Sequence, residues 1–97
     1  MTVRTTRTAE VQIAAVDGWW RSNREKAPDL FLGELADAFA LIEVAPELGR
    51  PWTSTEVPGV RRVVMRATRY HVYYRIDGDD VVVLAVWSAV QGRGPRL

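Results

Sequence analysis

From Val60 to Ser88 the chain alternates between apolar and polar positions in a way that predicts three consecutive antiparallel strands, 60–66, 69–77 and 80–88. The middle one is the clearest. Tyr70, Val72, Tyr74 and Ile76 occupy alternate positions, with His71, Tyr73 and Arg75 between them. A period of two sends the first set to one face, to be buried, and the second to the other, to meet solvent or a partner. Asp77-Gly78 between two β-rich runs predicts a tight hairpin, because Gly accepts the positive φ that such turns require. The run Val81 to Trp87 is apolar at both parities and fits a central strand covered on both sides; its valines favour strand over buried helix.

Upstream the period changes. Residues 2–7 are β-branched and polar by turns and predict a short edge strand. A helix is expected over 8–25, with Thr8 as its N-cap and Ile13, Val16 and Trp20 on one face. Gly18 inside it suggests a close approach to the next helix. Pro28 and Asp29 suit the start of a second helix over 28–45, on which Leu32, Leu35, Phe39 and Ile42 recur at helical spacing. Glu34, Asp37 and Glu43 are expected on its solvated side. A short linker makes the pair an antiparallel hairpin. The stretch 46–51 reads as a compact turn, Trp52 as an anchor in a polar loop, and residues 89–97, with two Gly and a Pro, as a mobile or partner-ordered tail. Strand, two helices, then strands predict an α+β fold, a helical hairpin on one face of an antiparallel sheet of about four strands.

Composition narrows the chemistry. Ninety-seven residues suit one domain, 1–97. With no cysteine there is no disulfide framework and no thiolate nucleophile, which fits a cytoplasmic protein. No apolar run is long enough to span a membrane, and the first residues carry no secretory h-region. A lone His and turn-forming Asp77, Asp79 and Asp80 predict no metal site, and Gly92-x-Gly94 opens no helix that would hold a phosphate, so no cofactor and no small-molecule substrate is expected.

The net charge of +1 conceals an asymmetry: residues 1–60 hold six basic and nine acidic side chains, residues 61–97 seven basic and three acidic. All seven bases are Arg, whose planar fork suits carboxylate or phosphate. An ordinary solvated surface accounts for the asymmetry equally well. The residues expected to meet a macromolecule are Arg62, Arg69, Tyr73, Arg75, Trp87, Arg93 and Arg96. No paired acid and base stand out, so no catalytic residue is assigned. Were RNA cleaved by 2′-hydroxyl attack, Arg62, His71 and Arg93 would be the groups to move protons and hold charge.

Several short stretches, taken together, resemble toxins of the RelE/ParE superfamily from bacterial type II toxin–antitoxin modules. They are Trp19-Trp20-x-x-Asn23, Ala45-Pro46-x-x-Gly49, Gly59-Val60-Arg61-Arg62, Arg69-Tyr70-His71-Val72-Tyr73-Tyr74-Arg75, Val81 to Trp87 and Gly92-Arg93-Gly94-Pro95. The resemblance implies a cytoplasmic growth inhibitor neutralised by a cognate antitoxin. In one branch of the superfamily such proteins cut mRNA on the ribosome; in the other they poison DNA gyrase without bond chemistry. The first branch typically has two basic residues at alternate positions of the strand before the central one. Here Arg62 matches one and Val64 stands at the other. His71 replaces an expected Arg, Arg93 matches a basic residue after the last strand, and no Tyr follows Tyr74. The resemblance is therefore ParE-like rather than RelE-like, with gyrase as the implied target and ribosome-dependent endoribonuclease as the alternative.

Overall fold

A computed structural model describes residues 1–90 and 92–97; Gln91, in the expected tail, lies outside the described residues. The elements are β1 (Thr2–Thr5), α1 (Arg7–Asn23), α2 (Leu30–Val44), β2 (Arg50–Pro51), β3 (Arg61–Met65), β4 (Tyr70–Asp77) and β5 (Asp80–Ser88). One sheet has the order β1-β5-β4-β3-β2. The architecture is α+β as expected, but the sheet has five strands and is mixed. β1 pairs parallel with β5, Val3 opposite Val81, because the helical hairpin carries the chain across the sheet between them. The two-residue β2 escaped the sequence reading because half of it is a proline, which an edge strand tolerates.

Boundaries moved for local reasons. Thr6, not Thr8, caps α1: its hydroxyl accepts from the Ala9 N–H at 3.1 Å and donates to the Leu84 carbonyl at 3.3 Å, so β1 is over by residue 5 rather than 7. α1 closes with the Arg24 N–H on the Trp20 carbonyl, and α2 begins at Leu30, two residues after the expected Pro28. Around Gly18 a methyl group would meet nothing, so this glycine does not mark a close helix crossing.

The hairpin packs on one sheet face. Ala9, Trp20, Phe31, Leu35, Ala38 and Ile42 meet Met65, Val72, Tyr74, Val81, Val83 and Val86. The opposite face, expected to be open, has a core of its own in which Val60, Tyr73 and Ala85 lie beneath Trp52, Val57, Trp87 and Leu97. The register of β4 on β5 slips between Tyr73 and Tyr74, paired with Ala85 and Val83, leaving Leu84 as the extra residue of a bulge. Leu84 and Ala85 consequently pack into the same second core.

Two polar ties hold helices to sheet. The Tyr74 phenol, fully buried, donates to the Pro46 carbonyl at 2.7 Å and accepts the Gly49 N–H at 2.9 Å. Any β-carbon on Gly49 would collide with that hydroxyl, which is why the 46–49 turn needs glycine. Arg61 closes the same turn with bonds to the Glu47 and Gly49 carbonyls at 3.1 and 2.8 Å. The second tie is Glu34, expected on a solvated face. Its carboxylate accepts from the Ala67 and Thr68 amides at 2.7 and 2.9 Å and from the Thr68 hydroxyl at 2.5 Å, clamping the β3–β4 turn. That turn carries Arg69 at a φ of 64°, and an external clamp offsets part of the strain. Partial burial opposes ionisation of Glu34, but the three donors outweigh it and hold the carboxyl below its ordinary value.

These ties predict three results. Tyr74→Phe, which strands a buried N–H and a carbonyl, should lower the unfolding free energy by about 1–3 kcal/mol in urea titrations. Gly49→Ala should cost a similar ~1–3 kcal/mol through overpacking. For Glu34, the folded state binds its proton less tightly than the unfolded chain does. The stability advantage of the native protein over Glu34→Gln should therefore be full above the ordinary pKa of 4.5 and shrink as pH falls through the lower folded value.

Candidate functional site

On the face away from the helices, adjacent strands place Arg62 of β3 beside His71 and Tyr73 of β4. Arg62 stands directly across from Tyr73, and Val64 from His71. The Arg62 guanidinium lies 3.5 Å from the Tyr73 hydroxyl. His71 and Tyr73 meet edge to face, 5.9 Å between ring centres. The C-terminal strand end and tail close the other side. The Trp87 indole N–H donates to the Arg93 carbonyl at 3.0 Å, which turns the chain back over the sheet. Gly94 then lies against Trp52, whose Cζ2 is only 2.5 Å from where a β-carbon would be. Trp52 in turn packs edge to face on Tyr73 at 4.7 Å. The described part of the tail, including the buried Pro95 and the half-buried Leu97, is thus docked on the sheet instead of hanging free.

The result is a cleft of about 510 Å³ whose polar lining is Arg62, His71, Tyr73, Arg93 and the hydroxyls of Ser54 and Ser88. Among the described residues, no carboxylate lines it. Ion pairs within 4.0 Å involve only Arg4 and Arg21, so neither Arg62 nor Arg93 is neutralised by an acid among the described residues. Partial burial, and then the neighbouring Arg62 charge, press the His71 imidazole below its ordinary value of 6.5. At neutral pH the cleft therefore offers two guanidiniums and a neutral imidazole, an arrangement suited to an anion.

Of the residues singled out from sequence, Arg62, His71, Tyr73 and Arg93 come together here. Tyr73 does so differently from expectation: at 1% exposure its ring is core, not a surface for contact, because Trp52 and the tail cover it. Trp87, Arg93 and Arg96 share an adjoining groove of about 380 Å³ with Gln12. Arg69, in the β3–β4 turn, and Arg75, two residues beyond Tyr73 on β4, line neither. Sequence reasoning missed Ser54, Ser88 and Gly94 as parts of the cleft. A glycine directly after Arg93, the first basic residue of the tail, was the available signal.

One consequence is directly measurable. In an NMR titration His71 should protonate below pH 6.5, and Arg62→Gln should move its midpoint upward by removing the nearby charge. Since the folded state disfavours the imidazolium, His71 should subtract from stability as pH falls below 6.5, and less so in the variant.

A family model described as "ParE toxin of type II toxin-antitoxin system, parDE" matches residues 3–91. Among solved structures, the chain is similar to one from the chromosomal ParDE TA system of P. aeruginosa. The TM-score is 0.64 at 22% identity, over 91% of this chain and 95% of that one, a likeness of fold. No curated protein sequence matches it. The family match spans nearly every element of the fold and the strand wall of the cleft, stopping short of Arg93 and Gly94, and with it the chain belongs to the ParE toxins of type II toxin–antitoxin systems.

Proposed function

We propose that this toxin, acting as one cytoplasmic domain, arrests growth by binding DNA gyrase, performs no bond chemistry of its own, and is held inactive by a cognate antitoxin. One observation carries the non-catalytic part. The cleft collects Arg62, Arg93 and His71 without any carboxylate among the described residues lining it. General acid–base catalysis needs a donor and an acceptor set to pass protons in opposite directions. Here His71 has cations and hydroxyls but no carboxylate around it among the described residues lining the cleft, and the Tyr73 phenol is buried under Trp52. Unpaired guanidiniums with a half-buried Trp87 beside them are the equipment of a surface that grips an acidic or phosphate-bearing partner. The family match, to toxins of parDE modules, supports the antitoxin as partner.

The ribonuclease reading keeps one favourable feature, an imidazole biased toward its neutral, proton-accepting form beside a cation that would hold a phosphate. A paired experiment separates the two. The purified protein should inhibit gyrase supercoiling or trap cleaved DNA, and should leave ribosome-bound mRNA intact. Arg93→Ala and Trp87→Ala should weaken gyrase inhibition by about tenfold each, a typical loss for an interface anchor, while His71→Ala retains it. Cleavage of mRNA that disappears in His71→Ala would establish the ribonuclease instead.

A further inference from the structure

Three hollows follow one another along the sheet and share walls. The cleft of about 510 Å³ has Arg93 and Gly94 in common with the groove of about 380 Å³ beside it. It has Arg62 and His71 in common with a third hollow, of about 530 Å³, at the edge of β3. In order along this track stand Arg50 and Arg66, then Arg62, then Arg93, then Arg96. Among the described residues no carboxylate lines any of the three hollows, and none of these five arginines has an acid within 4.0 Å.

The smaller polar groups on the track also face it as donors. Ser88 Oγ accepts the Val90 N–H at 3.3 Å, which leaves the hydroxyl hydrogen to donate. Gln12 accepts the Val86 N–H through its side-chain oxygen at 2.9 Å, which leaves its amide hydrogens to donate. Trp87 differs. Its indole N–H is already given to the Arg93 carbonyl, so what it offers the groove is ring surface.

Cations and donors in succession suit a chain of anions, and two chemistries supply one: an acidic peptide or a phosphodiester backbone. The indole decides between them. Its face is electron-rich and gains nothing from a carboxylate, whereas a nucleobase stacks on it. Bases inside a duplex are already stacked on one another, so a platform of this kind selects a strand whose bases are unpaired.

We propose that this track holds a single-stranded segment of DNA, with phosphates on Arg62, Arg93 and Arg96 and a base on Trp87. The inference rests on the gyrase reading given above and deepens it: the toxin grips the DNA that gyrase handles as well as the enzyme. Such a toxin stabilises whichever state of the enzyme exposes unpaired bases, because it binds that state better than the others.

The test measures fluorescence anisotropy of a labelled single-stranded DNA oligonucleotide of mixed sequence with the full-length toxin, without gyrase, over a range of salt concentrations. The oligonucleotide should bind, with the logarithm of the affinity falling linearly against the logarithm of salt. Arg93→Gln and Arg96→Gln should each weaken binding and reduce that slope by about 0.7, the value for one phosphate of a single strand. Trp87→Ala should weaken binding about tenfold and leave the slope unchanged, since stacking releases no counterions. The arginine variants alter no packed side chain, so they decide the matter even if Trp87→Ala fails to fold. No binding by the native toxin at low salt, or native affinity and slope in both arginine variants, overturns the proposed track. A polyglutamate peptide that competes as strongly as DNA of equal charge overturns it in favour of an acidic protein partner, and tighter binding of RNA of the same sequence overturns the choice of DNA. Inhibition of gyrase by a toxin that binds no DNA removes this inference and leaves the gyrase reading standing. DNA binding by a toxin that leaves gyrase fully active removes the gyrase reading instead.

Discussion

Two adjacent tyrosines on β4, pointing in opposite directions, hold the functional parts of this molecule in place. Tyr74 enters the helix-facing core and fixes the 46–49 turn through both of its hydrogen-bonding capacities. Tyr73 enters the second core and receives Trp52, with Gly94 of the tail over it. The first tie delivers Arg50 to the edge of β3; the second sets Arg62 and Arg93 on either side of one cleft. Both depend on a strand that can bury each of its faces, which the bulge at Leu84 assists by giving β5 two consecutive residues on the tail side.

The electrostatics follow from that scaffold. Carboxylates in the chain are spent elsewhere. Asp77 and Asp80 hold Arg4 at the far end of β5, Asp17 and Asp29 hold Arg21 on the helices, and Glu34 is consumed by the β3–β4 turn. The cations of the cleft and the β3 edge are left without such partners among the described residues. An isolated, partly desolvated guanidinium is costly, and that cost becomes affinity when an anion arrives. Under the function proposed above, in which one protein silences this toxin and another is its target, those cations are the groups that either partner would meet.

Much of this was legible in the sequence where the information is local. The alternation of β4, the Asp-Gly turn with Gly78 at a φ of 60°, and the doubly covered β5 all follow from neighbours within a few residues. What was missed is carried by distant partners. Alternation says that Tyr73 lies opposite Tyr74, but its cover comes from Trp52 and Gly94, each remote in the chain. Glu34 looks like any solvated acid on α2, since its donors are main-chain amides more than 30 residues away. The glycines of the tail suggest mobility; Gly94 instead permits close packing on an indole. The parallel placement of β1 depends on the path of the whole helical hairpin, which no strand pattern encodes.

The central claim is that this protein inhibits by occupying a partner rather than by turning over a substrate. Titrating a fixed concentration of gyrase with the purified toxin tests it most directly. Supercoiling should fall in proportion to added toxin and level off near one toxin per target site, with the bound toxin recovered unchanged. Inhibition that is complete at a small fraction of that ratio and deepens with time would mark an enzyme and contradict the account.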